Sequence, residues 1–185
     1  MKTLIFRLLF IAALLVATVL PVTGVFAATT ATVTITATPE YLAVTNDSGN
    51  WVIGAIASAT TVYFTADSLI MAEPLVDGDM KGTLTNTGSV ASDINIKCAD
   101  FTGGAGWNIR EADNVPGADE AAIRAGITGM ANRAAMIQVK NADTKLVDNL
   151  AAAGTKMWGM ELLTGTFTDG VAKSGTLTLT ISKHV

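Results

Sequence analysis

Apolar and polar positions alternate along most of this chain, in short runs divided by turn residues. In Ala28–Thr38, Val33, Ile35 and Ala37 alternate with Thr32, Thr34, Thr36 and Thr38. A period of two predicts a β-strand with one apolar face. The same pattern closes the chain in "SGTLTLTISK", where Leu177, Leu179 and Ile181 alternate with Thr and Ser. Between them, "YLAVT", "WVIGAI", "TTVYFTA", "SLIMAE", "MKGTLTN", "VASDINIKCADF" and "WNIRE" read as strand-like segments. "NDSGN", "VDGD", "TGS" and the Gly103–Gly106 cluster are the turns between them. Strands at this spacing, Thr-rich on one face and aliphatic on the other, predict an all-β fold. The expected form is an antiparallel β-sandwich, immunoglobulin-like or jelly-roll-like.

Two segments depart from period two. "DEAAIRA" (119–125) spaces Glu120 and Arg124 four apart and fits one or two helical turns or, equally, an Ala-rich strand. "DTKLVDNLAAAG" (143–154) offers Asp143 or Thr144 as a cap and a Leu146, Val147, Leu150 stripe, with Gly154 to end it. Both are expected as short helical crossovers on the β-scaffold.

The front of the chain has a different grammar. Lys2 and Arg7 precede an apolar run from Leu8 to Leu20, Pro21 breaks it, and Val25 and Ala27 stand at the −3 and −1 positions of a small-residue cleavage site. That layout predicts a secretory signal peptide, residues 1–27, cut between Ala27 and Ala28. The run is short of the ~20 residues needed to span hydrocarbon. A single domain, 28–185, is expected to remain, secreted or held at the cell surface by other molecules, with no membrane attachment after cleavage. Cleavage removes Lys2 and Arg7 and no acid, so the net charge moves from −4 to −6. An acidic chain with scattered cations excludes a basic surface for nucleic acid.

The chemistry-bearing residues are few. Cys98 is the one cysteine, so no internal disulfide forms. It shares parity with Ile94 and Ile96, which predicts a buried thiol, an intermolecular bridge being the alternative. The one histidine, His184, is expected to fray at the C-terminus. No metalloprotease, phosphate-loop or nucleophile-elbow motif is present, so the reading is non-enzymatic, with no cofactor. Asp77 and Asp79, flanking Gly78, are weak Ca²⁺ candidates, because two carboxylates supply too few of the six to eight oxygens required. Asn46-Asp47-Ser48 matches an N-glycosylation acceptor. Trp107 shares parity with Ile109, and Trp158 with Met160 and Leu162, which predicts core rather than a sugar-stacking platform.

The run "EPLVDGDMKGTLTNTGSVASDINIK" resembles a segment of secreted bacterial and archaeal immunoglobulin-like surface β-sandwiches, among them the camelysin-type and TasA-type biofilm fibre proteins. The residues that carry the resemblance are Asp77-Gly78-Asp79, Asn86-Thr87-Gly88-Ser89 and Asp93-Ile94-Asn95-Ile96. A weaker similarity, in "GAGWNI" and "MWGMEL", is to WxL-type cell-wall domains, with Ile109 and Met160 where those have Leu. The first resemblance implies a non-enzymatic structural or adhesive protein of the extracellular matrix. Its partners would be other copies of itself or surface polymers, and a fibre subunit would assemble by donating its N-terminal strand. A small carbohydrate- or cell-wall-binding module is the alternative.

Burying Val33 and Ile35 contributes roughly 1.5–3 kcal/mol each. Ordering about seven residues costs on the order of 7–14 kcal/mol. The opening strand therefore needs a hydrogen-bonded ladder as well as a groove. Its own domain or a neighbouring molecule could supply both, the second at an association cost of ~4–15 kcal/mol.

Overall fold

The computed structural model describes residues 37, 39–65, 73–111 and 115–185. The chain divides into two units, Met1–Thr38 and Pro39–Val185, and the architecture below is that of the second. The leader, the Ala27–Ala28 cleavage site and the strand positions Val33 and Ile35 lie outside the described residues. Ala37 is exposed.

Ten strands follow in chain order: β1 (Val44–Asn46), β2 (Thr61–Phe64), β3 (Gly82–Asn86), β4 (Ser92–Cys98), β5 (Asn108–Ile109), β6 (Glu120–Ile127), β7 (Ile137–Val139), β8 (Thr144–Leu150), β9 (Thr155–Thr164) and β10 (Leu177–Lys183). They form two sheets. In the larger, β9 pairs with β6 along one edge and with β3 and β2 in succession along the other. β1 extends β3, while β7 and β5 share the far edge of β6. The smaller sheet runs β10-β4-β8. All pairs are antiparallel except the short β5–β6 pair. The fold is all-β, a two-sheet sandwich, as the alternation predicts.

Period two is what builds the core. Leu84 from β3, Ile94, Ile96 and Cys98 from β4, and Trp158, Met160 and Leu162 from β9 all point into one apolar cluster between the sheets. On β10, Leu177, Leu179 and Ile181 stand opposite Cys98, Ile96 and Ile94, so the aliphatic faces of the two strands coincide.

The expected helical crossovers are not found; both segments are strands. "EAAIRA" lies in β6, between neighbours on both edges. Ala121, Ala122, Ile123, Ala125 and Gly126 are buried there whichever face they point to. A second apolar cluster (Leu75, Met80 and Met136) lies beyond the core cluster, and Leu75 and Met136 reach Gly126. A Cβ at Gly126 would lie 2.5 Å from Leu75 and 2.9 Å from Met136. Small residues on this strand reflect burial on two faces, not helical propensity. "DTKLVDNL" is β8, whose pairing with β4 slips at Ile94 and Asn95. A β-bulge of this kind changes which face successive residues present. It buries Leu146 and Val147 together, and then Leu150. That produced the apparent helical stripe. Among the predicted strands, "WVIGAI" is irregular backbone.

Candidate functional site

The irregular segment matters because of what it borders. A cavity of about 1130 Å³ opens between the sheets near the start of β10. Its aromatic lining is Trp51, Phe64, Phe101, Trp107, Trp158 and Phe167, with Cys98 and Leu177 alongside. The rings support one another: Trp51 lies 5.1 Å from Phe64, Phe64 5.9 Å from Trp158, and Trp107 stacks on Phe167 at 5.0 Å. Trp107 and Trp158 are 7% and 2% exposed, in accord with the core reading. Val52 and Val171 also line the cavity yet are 86% and 52% exposed, so it carries apolar groups out to solvent.

One wall is built by two loops tied through a carboxylate. Asp169 accepts hydrogen bonds from the backbone N–H of Ala105 (2.6 Å) and Val171 (2.9 Å) and from Lys173 Nζ (2.6 Å). Ser174 and Thr102 exchange backbone hydrogen bonds beside it. The hydrogen bond from Lys173, then those from Ala105 and Val171, lowers the Asp169 pKa from 3.8 to about 2. A depressed carboxyl contributes stability that is complete above the unfolded pKa and is lost as pH falls through the folded one. The wall is therefore expected to loosen between about pH 4 and pH 2. An Asp169→Asn variant should lack that part of the acid transition, as followed by near-UV circular dichroism. Identical acid profiles for the two proteins would contradict it.

Among the described residues that line the cavity, Cys98 is not an activated nucleophile. Burial, with Asp100 nearby, pushes the Cys98 thiol up to about 11. At neutral pH it is a protonated, packed group rather than a thiolate.

The structure redistributes the residues singled out from sequence. Asp77, exposed, and Asp79, half-buried, sit in a 3-10 turn, Asp77–Asp79. The described residues whose donor atoms do converge are Asp93, Asp148 and His184, all within 4.8 Å of one another. His184 is not frayed. Its N–H donates to the Ala91 carbonyl, and its ring Nδ1 lies 2.8 Å from Asp93 Oδ1. Asn46 of the glycosylation pattern uses its side chain internally: Oδ1 accepts from the Trp158 indole N–H at 3.0 Å and from Ser48 Oγ at 2.8 Å. Sequence reasoning missed the cavity itself, since Trp51, Trp107, Phe167 and Leu177 come together only through the packing of the sheets.

No helix among the described residues is long and apolar enough to cross a membrane. Geometry and fold thus define a class, an all-β two-sheet sandwich with an aromatic cavity beside its last strand. Comparison of the chain with family models, with curated proteins and with solved structures returns no match.

Proposed function

We propose that this protein is a secreted, non-enzymatic structural or adhesive component of the cell surface or extracellular matrix, and that its copies join by strand donation. The observation that carries this reading is the apolar cavity opening beside β10. Among the described strands, β10 pairs only with β4. An incoming strand would find a ladder on the edge of β10 away from β4 and apolar space next to Leu177. Ala28–Thr38 has the alternation to use both.

Chain direction constrains the assembly. Glu40 pairs with Lys183 at 2.5 Å, so the described domain begins near the C-terminal end of β10. The cavity lies at the other end, and seven strand residues separate the two by roughly 20 Å. Eleven extended residues reach about 36 Å, enough to span that distance. A strand laid antiparallel along a neighbour's β10 brings one molecule's Glu40 end to the next molecule's cavity, giving an open head-to-tail chain. A parallel strand brings two Glu40 ends together and favours a closed, reciprocal pair. A fibre requires the antiparallel arrangement. Sugar binding by exposed aromatics, the other reading, is weakened by the burial of Trp107 and Trp158.

The test is to delete Ala28–Thr38 from protein beginning at Ala28. The truncated form should stay folded, remain monomeric by light scattering and form no filaments by electron microscopy. A peptide of residues 28–41 should bind it, and one carrying Val33→Asp and Ile35→Asp should not, because each carboxylate would be buried unpaired. A folded truncation that still polymerises would overturn the proposal. An unfolded one would assign the strand to its own domain.

A further inference from the structure

At the end of β10 away from the cavity, four ionisable side chains converge: Asp93 from β4, Lys145 and Asp148 from β8, and His184 just after β10. His184 Nδ1 lies 2.8 Å from Asp93 Oδ1 and 3.7 Å from Asp148 Oδ1. Two donor atoms on one small cation, each about 2.1 Å from it at tetrahedral or octahedral angles, lie about 3.0–3.4 Å apart. The two separations from His184 stand on either side of that spacing, and all three donor atoms lie within 4.8 Å of one another.

The cluster is rigid on one side and open on the other. Asp93 is buried and Asp148 exposed. Asp93 Oδ1 accepts from the Asn149 N–H at 2.9 Å, and Lys145 Nζ lies 2.7 Å from Asp93 Oδ2 and 2.8 Å from Asp148 Oδ1. The Asn149 N–H, then Lys145, holds the Asp93 carboxyl well below the usual carboxylate range. A cation therefore already bridges the two carboxylates, but it is the tip of a side chain that is 51% exposed. Such an ammonium holds its place weakly and returns to water at little cost.

We propose that Asp93, Asp148 and His184 bind a divalent transition-metal ion, Zn²⁺ being the best match, which draws both carboxylates away from Lys145 Nζ. One imidazole nitrogen with two carboxylate oxygens suits Zn²⁺ better than Ca²⁺, which takes six to eight oxygens. The bound ion joins all three strands of the smaller sheet and fixes the C-terminal end of β10. Three protein ligands leave a fourth position for water or for a donor from another molecule. Lys145 is a competitor for this site, not a ligand.

The experiment uses metal-stripped full-length mature protein titrated with Zn²⁺ alone. Since His184 is the one histidine, its ring signals in a ¹⁵N-correlated NMR spectrum report on the site without ambiguity. One equivalent of Zn²⁺ should shift those signals and raise the melting temperature, while Ca²⁺ at the same concentration should do neither. His184→Gln and Asp148→Asn should each weaken binding about tenfold or more. Lys145→Met, by removing the competitor, should tighten it severalfold. The last result separates a metal site from an ordinary ion-pair network, which the same change would only weaken. Zn²⁺ binding that leaves the His184 ring unmoved, or is unaffected by His184→Gln, would overturn the proposal. So would unchanged or weaker binding by Lys145→Met.

Discussion

Glu161→Gln is expected to destabilise the protein by about 3–5 kcal/mol, the cost of breaking a buried ion pair from one side. Glu161 is on β9 and is 0% exposed. Its Oε1 meets Arg124 Nη2, and Arg124 stands directly opposite it on β6. Its Oε2 accepts from Arg133 Nη2 at 2.8 Å and Nε at 3.1 Å. Arg133 lies 5.1 Å from the centre of the Tyr63 ring, and its backbone N–H donates to Glu73 Oε1 at 2.8 Å. Glu161 thus holds the 130–136 segment over β9 and β6. Without the carboxylate, two guanidinium groups share a poorly solvated site, and the covering segment loses its anchor. Urea unfolding measures the loss. Replacing all three residues together (Glu161→Leu, Arg124→Met, Arg133→Met) should recover most of it, since a packed apolar triad carries no desolvation penalty. A Glu161→Gln protein within about 1 kcal/mol of the parent would show that the carboxylate is not the anchor.

Trp158→Ala is expected to cost about 3–5 kcal/mol as well, by a different mechanism. The indole is among the largest fully buried side chains, and removing it leaves a cavity the sheets cannot close. Its backbone partner across the sheet, Gly82, is shaped around it: a Cβ there would lie 2.4 Å from the indole nitrogen. Asn46→Ala, which leaves the buried indole N–H unpaired, should cost a smaller ~1–3 kcal/mol. Denaturation followed by fluorescence ranks the two variants. The order Trp158→Ala above Asn46→Ala is the expected one, and the reverse would mean that the indole contributes little packing. Trp158 also lines the aromatic cavity, so Trp158→Ala should reshape the docking surface in whatever fraction remains folded.

Much of this architecture is legible in the sequence. The aliphatic parity of β4 and β10 was plain because each strand buries one face, and the same parity located the Cys98 thiol and both core tryptophans. The helical crossover reading failed for two separate physical reasons, and in 119–125 the Ala-rich strand, the equal alternative, is the form found. β6 is covered on both faces, so its small residues carry no alternation to detect. β8 slips twice against β4, and the two extra residues convert a period-two pattern into an apparent i, i+1, i+4 stripe.

What the chain determined by itself is therefore its class: an acidic, β-alternating sequence with no internal disulfide, whose stability rests on an aliphatic and aromatic core. What the tertiary structure decided is every long-range juxtaposition. Residues from positions 51 to 177 had to converge before there was a cavity. Asp93, Asp148 and His184 had to be carried to one end of the small sheet before three ordinary polar side chains became a possible site for a metal ion. The physical reason is that alternation is a local property, set by how a strand meets its own two faces. Which strand lies beside which is set by packing between sheets, and that leaves almost no mark on nearest-neighbour sequence.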